Sequence, residues 1–126
     1  MPYFAEISDP TGLINQFLHR FNNEVAVFIS MKLEKPEPNP ARENAELIAW
    51  ERGLQQQLFM LAGMILSLGT KLSLMGVDTA IPGNLRTIAG LLSTCHPEAV
   101  ERNRTIKEAF DSTKNLCSLS LLYIRP

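Results

Sequence analysis

Between residues 53 and 77 the chain carries one formal charge, Lys71, and the run 58–69 carries none. No other stretch restricts the fold as strongly. Leu47, Trp50, Leu54, Leu58, Leu61, Ile65, Leu68 and Leu72 recur at steps of three and four. That spacing draws a single seam along an α-helix and is incompatible with the alternation of a strand.

At about 100° per residue, Leu58, Leu61, Ile65 and Leu68 share one face of this helix and Phe59, Ala62 and Leu66 a second. The third face is Ala49, Gly53, Gln56, Met60, Gly63, Met64 and Ser67, with Lys71 at its far end. It is small, uncharged and flexible. A helix apolar nearly all round is normally buried on all sides, whereas each helix of a simple four-helix bundle keeps one face in water. Three things would cover the third face: the rest of the chain wrapped around a central helix, another protein chain, or lipid.

Length sharpens the point. A helix from Ala41 to about Met75 would be about 52 Å long, against a diameter of about 36 Å for a compact domain of this size. The helix is therefore expected to protrude, kink or split, with Gly53, Gly63 and Gly69 as the weak points.

The remaining chain reads as three more helices. Pro36, Pro38 and Pro40 mark a linker over 35–40, because proline lacks the amide donor and forces extended geometry on its neighbour. Before it, Asp9 followed by Pro10 is a helix start, and Leu13, Ile14, Phe17, Leu18, Phe21, Val25, Phe28 and Ile29 form one stripe. The β-branched content of 25–31 would also suit a strand; continuation of the stripe favours helix. After Gly76 and the break that ends at Gly83, a short helix runs from Asn84 to about Thr94 with Leu85, Ile88, Ala89 and Leu92 inward. A last helix starts at Pro97 and carries Val100, Ile106, Phe110, Thr113, Cys117, Leu121 and Ile124 inward. Alternation in its tail, 119–124, leaves a short strand open there. The fold class is all-α: one four-helix, bundle-like domain over residues 1–126, with one long and kink-prone central helix.

Composition excludes several function classes. With 126 residues and a net charge of −1, the chain is neither charge-rich enough to be disordered nor basic enough to bind nucleic acid generally. Two cysteines, Cys95 and Cys117, do not make a disulfide scaffold. No signal sequence is legible at the amino end, so a cytoplasmic location with reduced thiols is the expectation.

Chemistry-bearing residues are sparse. His19 and His96 are the two histidines. Cys95 and His96 are adjacent, but two neighbouring residues do not make a metal site, and neither histidine follows a glutamate at the three-residue spacing of a di-iron helix. There is no phosphate-binding glycine loop and no nucleophile elbow. No catalytic, cofactor-binding or metal-ligating residue is expected, and the chain is read as a non-enzyme. Arg102, Arg104 and Lys107 cluster near the last helix's start, but Glu98, Glu101, Glu108 and Asp111 interleave with them.

The reading that remains is a protein–protein interaction module: an adaptor, chaperone, inhibitor or assembly factor acting by helix packing. It is expected to self-associate as a homodimer through Ala49, Gly53, Met60, Gly63, Met64 and Ser67, since small residues admit a close backbone and methionine adapts to a partner. A small helical DNA-binding regulator is one alternative. A membrane-associated protein with 58–77 as its apolar segment is another; against it, a lysine at mid-span such as Lys71 costs about 3 kcal/mol.

Overall fold

The computed structural model describes residues 9–37, 44–77, 80–96 and 100–123, the side chains of the last segment over 104–122. Four helices occupy them: α1 (Pro10–Leu33), α2 (Ala45–Leu74), α3 (Ile81–Thr94) and α4 (Val100–Tyr123). No strand occurs among the described residues, and the architecture is the all-α, bundle-like one that the apolar periodicity predicts.

α1 starts as its sequence dictates. The Asp9 carboxylate accepts the Gly12 N–H at 3.1 Å, and Pro10 occupies the first turn, where a missing amide costs nothing. The helix continues through 25–31 because Val25 and Phe28 extend the inward stripe of Ile14, Phe17 and Phe21. Tertiary burial thus outweighs the local β preference of that stretch.

α2 is one uninterrupted helix of 30 residues, about 45 Å long. The expected break at Gly53, Gly63 or Gly69 does not occur. A mid-helix glycine costs about 1 kcal/mol, while the seam Leu54, Leu58, Leu61, Ile65, Leu68 and Leu72 is buried along its whole length, at about 1.5–3 kcal/mol per side chain. Gly69 sits at a close approach of the two helices: a Cβ there would stand 3.2 Å from the Pro82 carbonyl oxygen and 3.4 Å from Leu85 Cβ, so α3 would have to give by a few tenths of an ångström. The helix stops at Gly76, whose φ of +81° suits a residue without a side chain. The Gly76 N–H donates to the Ser73 carbonyl at 3.1 Å and the Val77 N–H to that of Leu72 at 3.0 Å, the paired closure of a Schellman motif.

α3 begins three residues earlier than its sequence boundary at Asn84, with Pro82 in its first turn. The expected start of the last helix at Pro97 lies outside the described residues. α4 stays helical through Tyr123, so the tail is no strand up to that point; Ile124 lies outside the described residues.

The helices close a ring in which α2 packs on α1 and α3, α3 on α4, and α4 back on α1. Neighbours run antiparallel. Trp50 Nε1 of α2 donates to the Met31 carbonyl of α1 at 2.6 Å. About two turns further, Gln57 Nε2 donates to the Glu24 carbonyl at 3.0 Å and to its carboxylate at 2.9 Å. On the other flank, Gln55 Nε2 reaches the carbonyl of Cys95, past the end of α3, at 3.4 Å. Aromatic rings lock α1 to α4: Phe110 meets Phe21 and Phe28 edge-on, each at 5.8 Å between centroids.

Candidate functional site

Among the described residues α2 packs chiefly on two helices, and that decides what its surface can do. α1 takes one flank, through Trp50, Gln57 and Met64. α3 takes the other, through Gly69 and Gln55. With 14 residues, α3 reaches less than half the length of α2. Between the two flanks a strip of α2 stays uncovered by any described residue. Its members are Arg52, Gln56, Phe59, Gly63, Leu66 and Thr70, spaced 4-3-4-3-4; all are exposed. Phe59 is 50% and Leu66 47% accessible, and Ile48, toward the amino end, 49%. A Cβ placed on Gly63 would meet nothing within 4 Å.

The six residues expected to form the interaction face do share one side of α2, but the structure divides them. Ala49, Gly63 and Ser67 are open to solvent, and Met60 is half-buried. Met64 packs on the core beside α1. Gly53 also faces α1, where Met31 Cε would stand 3.2 Å from its Cβ. Gly53 and Met64 therefore belong chiefly to the bundle's own α1–α2 contact. Phe59 and Leu66 share the second face with Ala62, and of the three only Ala62 is buried. The exposed apolar side chains thus lie on the opposite edge of Gly63 from the methionines. A signal for them exists in the sequence: the 4-3 spacing of 52, 56, 59, 63, 66 and 70 is a second seam, parallel to the buried one.

The expectation that the chain itself encloses α2 on every side is not met among the described residues, where Phe59 and Leu66 stand half exposed; residues 1–8, the arm that would complete the wrapping, lie outside them. A ring of four helices gives each member two neighbours and leaves an outer surface, whatever residues occupy it. The apolar content of α2 exceeds what that ring can bury.

Next to the strip, Gly63, Met64 and Ser67 line a half-open cleft of about 390 Å³ between α1 and α2, with Leu13, Phe17, Arg20 and Lys71 on its other walls. The cleft has an apolar floor and a cationic rim. Reactive groups lie elsewhere. Cys95 and Cys117 are buried free thiols, and desolvation pushes the Cys117 thiol up to about 12, which withholds the nucleophilic thiolate at neutral pH. His19 and His96 are exposed. Among the described residues no group of three or more His, Cys, Asp or Glu side chains converges. On α4, Lys107 and Lys114 flank Asp111 beside a groove whose floor includes Phe28 and Phe110, so positive charge there is interrupted as the sequence indicates.

α2 is long and apolar enough to cross a membrane by length and composition, and 39% of its most apolar window is buried inside the bundle. Comparison with protein-family models, with curated proteins and with solved structures finds no match to this chain.

Proposed function

We propose that the protein is a non-enzymatic interaction module that works by packing the outer face of α2 against a partner helix and that self-associates through it. One observation carries this reading: beside Gly63, on a side of α2 left uncovered by any described residue, the apolar side chains of Phe59 and Leu66 are each about half exposed. Burying the remainder of those two side chains stabilises a complex by about 1 kcal/mol each. Gly63 lets a partner backbone approach closely. Residues Ala49, Met60 and Ser67 border the contact, and an adaptor, chaperone, inhibitor or assembly factor would use such a face in the same way.

The test is Gly63→Arg. Because no described residue packs within 4 Å of a Cβ at Gly63, the variant is expected to keep its helix content. It is expected to run as a monomer by light scattering at concentrations where the parent chain is a dimer. A folded variant with undiminished oligomer mass, or a parent chain monomeric at every concentration, would sink the reading.

The same uncovered helix supports a second reading, a membrane-associated protein with α2 against lipid. Recovery of the protein in the soluble fraction without detergent counts against it. A DNA-binding regulator would instead show duplex binding with a steep salt dependence.

A further inference from the structure

Two hydrogen bonds set the register of α1 against α2. Trp50 meets the Met31 carbonyl and Gln57 the Glu24 carbonyl, so seven residues forward on α2 match seven backward on α1. One further step of seven puts Met64 level with Phe17. There the two helices do not close on each other. Gly63 and Ser67, one turn apart on the α2 wall, are too small to fill the space beside α1, and a Cβ on Gly63 would still meet nothing within 4 Å. The result is the cleft of about 390 Å³, within the size range of small-ligand sites, about 300–1,000 Å³.

Its lining changes character along its length. Leu13, Phe17, Met64 and Leu68 form the floor, with Phe17 and Leu68 almost wholly buried in the core. Arg20 stands toward one end and Lys71 toward the other, about 15 Å apart along the helix axes. Each has an uncharged polar side chain one turn before it on its own helix, Gln16 and Ser67. No acidic side chain among the described residues lines the cleft, although the whole chain carries a net charge of −1. Neither Arg20 nor Lys71 has an ion-pair partner among the described residues.

An apolar trough flanked by cations alone selects a ligand that is apolar along its length and anionic at an end. We infer that the cleft binds a free aliphatic carboxylate, with its chain on the Phe17–Met64 floor and its head group on Arg20, and with Lys71 adding attraction from the far end. Arginine is the better head-group partner because its planar fork meets both carboxylate oxygens at once, and the Gln16 amide offers a further donor on the same wall. A cationic amphiphile is repelled at both ends, and a neutral one leaves both cations unused. The inference goes beyond the self-association reading and does not depend on it, since the head-group residue lies on α1, off the exposed strip.

The test titrates octanoate, below its micelle concentration, and 1-octanol into the ¹⁵N-labelled protein. Octanoate is expected to give saturable shifts centred on the amides of Phe17, Gly63, Met64 and Ser67. Arg20→Gln should weaken octanoate about fivefold and leave octanol binding unchanged; adding Lys71→Gln should weaken octanoate further. Both positions are exposed, so the variants should keep the parent's melting temperature. Absence of saturable octanoate binding, shifts centred on Phe59 and Leu66 instead of the cleft, or equal losses for octanoate and octanol in Arg20→Gln would each overturn the inference. So would cosedimentation with phosphatidylglycerol vesicles without binding of monomeric octanoate, which would make a lipid surface the ligand. Light scattering on the same samples reads association separately: a monomeric parent chain that binds octanoate leaves this inference standing and removes the self-association reading.

Discussion

Two glycines in one helix show how differently the same residue type is used. Gly69 is a contact: the Pro82 carbonyl oxygen lies 3.2 Å from where its Cβ would be, so any side chain there must push α3 away from α2. Gly63 faces open space. The same substitution at each should therefore have opposite effects. Gly63→Ala, studied at concentrations where the chain is monomeric, should gain up to about 1 kcal/mol from helix propensity alone. Gly69→Ala makes the same local gain but adds strain of about 1–3 kcal/mol from overpacking, and should be the less stable of the two by urea denaturation. Equal stabilities would mean that α2 and α3 are not in contact at this point. Read from the sequence, both glycines, with Gly53, are equivalent weak points in an apolar helix. Their distinction depends on residues in another helix.

At the scale of the element, helix ends are local and were legible in the chain. Asp9-Pro10 starts α1, and Gly76 closes α2 with two backbone hydrogen bonds and a positive φ. Gly76→Ala places a Cβ in the left-handed region and should cost about 1–2 kcal/mol. It should lower the melting temperature while leaving helix content unchanged; an unaltered melting temperature would show that the α2–α3 turn does not need this conformation. Helix continuity was less legible. α2 runs unbroken through three glycines because Leu58, Leu61 and Ile65, fully buried between them, contribute more than the glycines cost. That balance depends on neighbours that only the assembled bundle supplies. The start of α3 shifted to Ile81 for a related reason: Ile81 and Pro82 are buried, so the first turn is held by packing as well as by its own propensity.

For the whole molecule, the consequence of four helices in a ring is that α2 must keep an outer surface, and its composition leaves apolar side chains, Phe59 and Leu66, on that surface. If the surface is shared between two copies, folding and association are linked, and thermal stability depends on protein concentration. The melting temperature of the parent chain should rise with each tenfold increase in concentration, whereas that of Gly63→Arg should stay constant. A concentration-independent melting temperature for both would argue for a chain that is complete as a monomer.

The number of helices, their faces and most of the buried residues were determined by the sequence alone, because amphipathic periodicity is a property of neighbours along the chain: the seam from Leu54 to Leu72 and the stripe from Ile14 to Phe28 are buried as their spacing requires. Which part of α2 meets solvent was decided only by the tertiary structure. Phe59 and Leu66 are as apolar as the leucines beside them, and nothing local separates them. They are exposed because α1 and α3 occupy the two flanks and leave the strip between, a matter of how many helices fit around one another.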